Sequence, residues 1–141
     1  MKKILFLCTG NSCRSQIAEG IAHSIFDDNY QIESAGTEKH GVNPNAIQTL
    51  KEIRIDISSY KSKIIDLRDL NKFDLVITLC GDAKDKCPIL DKGVKHIHWE
   101  LEDPAKFTGN DSEIMFNFEK TRDLILNHIK ELKLNLEKGV L

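Results

Sequence analysis

Ile4-Leu5-Phe6-Leu7-Cys8-Thr9-Gly10-Asn11-Ser12-Cys13-Arg14-Ser15 contains the change of pattern that decides the fold. Four apolar residues in succession suit a strand covered on both faces. From Cys13 onward Ile17, Ala18, Ile21, Ala22, Ile25 and Phe26 recur at helical spacing, so an amphipathic helix follows the loop at once. Working outward, Tyr30-Gln31-Ile32-Glu33 alternates and reads as a short strand. Asn43-Pro44 opens a helix, with Asn as cap and Pro at its first position, and Ala46, Ile47, Leu50 and Ile53 form its apolar stripe. Phe73–Leu79 is the strongest interior strand and Val94–Trp99 the next. Ile114, Phe118, Ile125, Ile129, Leu132 and Leu136 then mark one face of a C-terminal helix. Strands alternating with helices predict an α/β fold: a central parallel sheet of about four strands with helices on both faces. Such folds bind ligands beyond the carboxyl ends of their strands. Cys8 and Cys80 each follow an apolar strand and are expected at that edge.

The 141 residues carry 20 Lys plus Arg against 22 Asp plus Glu, for a net charge of −2. That length fits one domain, 1–141, and no repeat or linker divides it. The near-neutral balance leaves no electrostatic footprint for nucleic acid or an anionic membrane. The longest apolar runs are far too short to cross a bilayer. Met1-Lys2-Lys3 imitates the start of a signal peptide, yet the apolar run behind it stops at Thr9-Gly10-Asn11. A cytoplasmic monomer without a cofactor is expected. Four cysteines are too few for a disulfide scaffold, and in a reducing compartment thiols are more often catalytic, metal-binding or redox-active.

The loop between the first strand and helix has a physical reading. A short turn into a helix N-terminus points successive backbone N–H groups inward and makes an anion site from Thr9, Gly10, Asn11, Ser12, Cys13 and Arg14. Arg14 adds a planar fork matched to two oxygens of a tetrahedral anion. Among such donors every neighbour of Cys8 favours the thiolate, and Ser15 can donate to the sulfur. Cys followed six positions later by Arg and then by Ser or Thr is expected by chance about 0.01 times in a chain of this composition. No dinucleotide or triphosphate motif competes with it.

Cys8 to Gln16 after the first strand resembles the loop of the low-molecular-weight tyrosine phosphatase fold. Together with Ser34-Ala35-Gly36, His40-Gly41-Val42-Asn43-Pro44, Thr78-Leu79-Cys80 and Cys87-Pro88, the pattern resembles the thioredoxin-coupled arsenate reductases over nearly the whole chain. A phosphatase needs one cysteine, whereas a dithiol supplies the two electrons that separate arsenate from arsenite. The resemblance therefore implies Cys8 as nucleophile, Cys80 and Cys87 as a redox relay, and thioredoxin as reductant. Arsenate, or phosphate or sulfate in its place, would occupy the loop. Zinc is the competing use of these thiols, with His96 and His98 downstream, but Cys-x6-Cys is wider than a metal knuckle. Cys13 receives no redox role. The two other readings are a tyrosine phosphatase using Cys8, Arg14 and Asp103, and an oxyanion-binding or redox-sensing module without turnover.

Departing hydroxide needs a proton, and Asp103, stiffened by Pro104, is the expected acid, with Glu102 as its local competitor. Related tyrosine phosphatases place an aromatic residue directly after this Asp-Pro; here Ala105 follows. Asn11, Glu19 and Ser34 match positions that hold potassium in some of these reductases together with an aspartate, where this chain has Lys63. The Lys63 ammonium is expected to replace the cation and pair with Glu19. His23, His40, His96, His98 and His128 are assigned no catalytic role.

Overall fold

The computed structural model describes residues 2–81 and 90–140. Four strands form a wholly parallel sheet: β1 (Lys2–Cys8), β2 (Tyr30–Gly36), β3 (Leu75–Thr78) and β4 (His96–His98), in the order β2-β1-β3-β4. Three α-helices are α1 (Arg14–Ile25), α2 (Pro44–Lys51) and α3 (Asp111–Glu137), joined by 3-10 helices at Leu67–Lys72 and Pro104–Lys106.

β1 is central, and Ile4 through Cys8 are all buried, as a strand sandwiched on both faces requires. Its alternation sorts the two cores. Ile4 and Phe6 face a large cluster with Ile17, Ile21, Leu50, Phe118, Ile125 and Ile129, so α1, α2 and α3 lie on one face. Leu5 and Leu7 face Ala35, Leu70 and Val76, backed by Ile65, Phe73, Leu90 and Val94. The predicted two-sided covering is therefore unequal among the described residues, with all three α-helices on one face and the 3-10 helix at Leu67–Lys72 on the other. A right-handed crossover explains where α1 goes. From β1 the chain passes through α1 to the neighbouring β2, which puts α1 on the face of Ile4 and Phe6.

Element ends differ from the sequence reading for identifiable reasons. β2 runs on through Ser34-Ala35-Gly36, which carry no strand signature, because pairing with β1 extends to Cys8↔Gly36. β3 begins at Leu75 rather than Phe73, whose amide bonds back to Leu70 and closes the 3-10 helix. β4 shortens to three residues. Asn43 caps α2 through Asn45 N–H, with Pro44 in its first turn. Asn110 and Glu113 form a capping box at the start of α3.

The strand order reverses between β1 and β3, the position at which open α/β sheets bind ligands. β1 delivers Cys8 to that edge. β3 ends opposite at Leu7↔Thr78, and Leu79 N–H still bonds to Leu7 carbonyl, so Cys80 emerges from the neighbouring strand. Parallel strands lie about 4.8 Å apart, so both cysteines leave the sheet as neighbours.

Candidate active site

The segment from Cys8 to Ser12 turns its backbone carbonyls away from its own centre. Cys8, Thr9, Gly10 and Ser12 carbonyls accept from the amides of Thr37, Glu38, His40 and Asn43. The Asn11 carbonyl accepts from Ser62 Oγ at 2.6 Å. Across a trans peptide the C=O and the following N–H point oppositely, and no peptide bond among the described residues is cis. The N–H groups of Thr9 to Cys13 are thereby directed to the inner side, as the sequence predicts for an anion cradle. Asn11 at φ 47° takes the left-handed turn that closes the ring. Gly36 makes room behind it: a Cβ there would lie 2.5 Å from Thr9 carbonyl oxygen and 2.8 Å from Asn11 nitrogen. Inside is a cavity of about 250 Å³ lined by Cys8, Thr9, Gly10, Ser12, Cys13, Arg14, His40, Asp103 and Ala105.

Cys8 is buried, and its Sγ lies 2.8 Å from Ser15 Oγ. Asn11 fixes what Ser15 receives. Its Oδ1 accepts from the backbone N–H of Lys63, which can only donate, so the amide orientation is fixed. Nδ2 then donates to Ser15 Oγ at 2.8 Å and to Ser34 Oγ at 3.0 Å. Ser15 accepts from Asn11, and once Cys8 is a thiolate its sulfur can only accept, so Ser15 gives its own hydrogen to Cys8. The same loop treats Cys13 differently: burial, reinforced by the charge of Asp103, pushes its thiol up to about 12. Arg14 is buried, with Nη1 donating to Leu101 carbonyl at 2.9 Å. Gly81, directly after Cys80, packs on that residue: a Cβ at position 81 would lie 2.6 Å from the Leu101 oxygen.

Asp103 lines the cavity, half-buried, and caps the 3-10 helix through Ala105 N–H at 2.9 Å. Glu102 is exposed and pairs with Lys106 at 3.3 Å. Geometry thus separates the two acids. Cys80 is buried and disulfide-bonded, whereas Cys8 and Cys13 are free thiols. Cys87, the other expected redox cysteine, lies outside the described residues. His96 Nε2 and His98 Nδ1 both meet Thr78 Oγ1, at 2.8 and 2.6 Å.

The Lys63 expectation needs correction. Lys63 is exposed, and its backbone N–H, not its ammonium, engages Asn11. Glu19 instead accepts from Ser34 Oγ at 2.5 Å and faces His23 Nε2 at 3.2 Å. These residues do not fit a potassium ion either. Asn11 Oδ1 already holds Lys63 N–H and Gln16 Nε2, and Ser34 is engaged on both sides. Gln16 Oε1, a buried acceptor without a partner, belongs to the amide bonded to Asn11 and is not one of the expected cation ligands.

Sequence reasoning missed three supporting groups. His40 lines the cavity with Nε2 bonded to Glu38 Oε1 at 2.7 Å, and its ring packs so tightly on Gly10 that a Cβ there would lie 2.3 Å from Nδ1. Ser62 and Gln16 brace the Asn11 backbone. The His40-Gly41-Val42-Asn43-Pro44 motif was a signal for the first and the stretch from Cys8 to Gln16 for Gln16; nothing local marks Ser62.

A sheet switch point, a ring of amides and a cysteine seated beside a serine point to the class of low molecular weight phosphatases. Residues 3–140 match the family described as low molecular weight phosphotyrosine protein phosphatase, and the chain belongs to it. Within that class its relatives are narrower. It is 53% identical over 130 residues to an arsenate reductase of Bacillus subtilis (strain 168), covering 92% of this chain and 94% of that one. A solved arsenate reductase in the phosphate binding state superposes with a TM-score of 0.76 at 33% identity, covering 94% and 96% of the two chains. A thioredoxin-dependent arsenate reductase of Corynebacterium glutamicum gives 0.68 at 28% identity, over 96% of this chain and 63% of that one.

Proposed function

We propose that this chain reduces arsenate to arsenite and draws its electrons from its own thiols. The observation that carries the reading is the joint placement of Cys8 in the amide ring and Cys80 at the end of the adjacent strand. Arsenate has nearly the shape and charge of phosphate, and the ring suits either. The Cys8 thiolate attacks arsenic, an As–O bond breaks, and the departing oxygen leaves as water with a proton from Asp103. Loop amides and Arg14 hold the remaining oxygens. Arsenic is still As(V) in this adduct.

Electrons move in the next step. Cys80 thiolate attacks Cys8 sulfur, and the S–As bonding pair departs with arsenic, which leaves as arsenite, As(III). The two sulfurs, oxidised together by two electrons, form a disulfide. Cys87 thiolate then attacks Cys80, forming the second disulfide and returning Cys8 as thiolate. The relationship to a thioredoxin-dependent reductase supports thioredoxin as the donor that reopens the Cys80–Cys87 bond. Such a relay suits the reducing cytoplasm. Ala105 at the cavity wall provides no ring to pack a phosphotyrosine, which favours the inorganic oxyanion.

Arsenate-dependent NADPH consumption, coupled through thioredoxin and its reductase, tests the reading. Cys80→Ser and Cys87→Ser are each expected to abolish sustained turnover while keeping a Cys8-dependent hydrolysis of aryl phosphate. Continued multiple turnover by Cys87→Ser, with thioredoxin as sole donor, would overturn the three-thiol relay.

A further inference from the structure

The hydrogen-bond chain that starts at Cys8 does not end inside the protein. Ser15 and Ser34 are joined by the two hydrogens of the Asn11 amide. Ser34, having accepted one of them, passes its own hydrogen to Glu19 Oε1. The other carboxylate oxygen of Glu19 faces His23 Nε2, one turn further along α1. Glu19 keeps only 14% of its side chain in water, whereas His23 keeps 45%. A carboxylate so withdrawn needs a donor or a countercharge, and Lys63 does not supply one.

We propose that His23 is a positioning residue for the nucleophile. It anchors the outer oxygen of Glu19 and, when protonated, offsets its charge, so that the inner oxygen stays aimed at Ser34. Each hydrogen in the chain then has one direction: Ser34 gives to Glu19, Asn11 gives to both serines, and Ser15 gives to Cys8. The remaining groups near His23 do not substitute for it. Tyr60 stands edge-on to its ring at 6.2 Å, and its hydroxyl is pushed up by burial and by the charges of Glu19 and Asp56, so it stays neutral. The imidazole thus takes the place that the sequence reading reserved for a cation or for Lys63. This inference rests on Cys8 being the nucleophile, but not on which oxyanion it attacks.

The test follows alkylation of Cys8 by iodoacetamide in the reduced protein from pH 5.5 to 9, with the labelled sulfur located by tandem mass spectrometry. His23→Ala removes donor and charge, His23→Gln keeps a donor, and His23→Lys keeps both. At pH 6, Ala is expected to slow Cys8 labelling by about 3-fold, the size of effect a partly exposed ion pair carries. Gln should fall between, and Lys should match the wild type. In a Glu19→Gln background the His23→Ala change should have no effect, because the charge it offsets is gone. Wild-type profiles for all three variants, or an undiminished His23→Ala effect beside Glu19→Gln, would overturn the proposal. The assay contains no arsenate, so failure of arsenate reduction in the wild type would count against the reductase reading alone.

Discussion

The two ends of one six-residue loop treat the same functional group in opposite ways. Cys8, at the end of β1, sits 2.8 Å from a serine that accepts from Asn11 and can give its hydrogen to a thiolate. Cys13, capping α1, has only a long 3.9 Å contact with Ser12 and is held protonated by burial and by Asp103. Both thiols are buried and both line the same cavity. On the proposed reading, burial alone therefore does not make a nucleophile. What distinguishes them is the polarity of the hydrogen-bond chain behind the sulfur, and Cys13 has none.

Three changes would sharpen or break this contrast. The largest effect is expected from Asp103→Asn, which removes the cavity's acid and should lower arsenate turnover by about 10²- to 10⁴-fold. Glu102→Gln, on an exposed side chain paired with Lys106, is the control, and equal losses for both would remove Asp103 from its role. Next comes Ser15→Ala. A hydrogen bond to a charged group contributes about 1.5–3 kcal/mol, so turnover and Cys8 alkylation should both fall about 10- to 100-fold. An unchanged alkylation rate would mean that the hydrogen points elsewhere.

The third effect is read as stability at alkaline pH rather than as turnover. A thiol raised from 9.0 to about 12 by folding stabilises the protein fully below pH 9 and loses that contribution as pH climbs toward 12. Under reducing conditions, the unfolding free energy of the wild type should drop about 3 kcal/mol more than that of Cys13→Ala between pH 8 and 11. Equal drops in urea titrations would show that Cys13 ionises in the fold as readily as outside it.

Much of this was legible because the chemistry coincides with abrupt changes of pattern. Ile4 to Leu7 has no periodicity and Ile17 to Phe26 has a helical one, so the cysteine, arginine and serine between them had to fall on a strand-to-helix turn. Asp103 was legible through Pro104, which fixes the entry to the 3-10 helix. What escaped depends on pairing across the sheet. Nothing local marks Gly36 as strand, because its place follows from sitting opposite Cys8. Lys63 was read by its charge, whereas the fold uses its peptide N–H, which any residue but proline would supply. His23 was assigned no role because its partner chain, through Glu19 and Ser34, leaves α1 and crosses to β2.

Arg14 is moored to a main-chain oxygen, an atom that no exchange of the Leu101 side chain can delete. Scanning position 101 would therefore be blind to this tether, however much the tether governs where the guanidinium rests. Only a shift in the path of the chain can loosen it, and the residue pressed against that peptide is the glycine that follows Cys80. Whatever displaces the end of β3 is mechanically adjacent to the arm that lines the cavity.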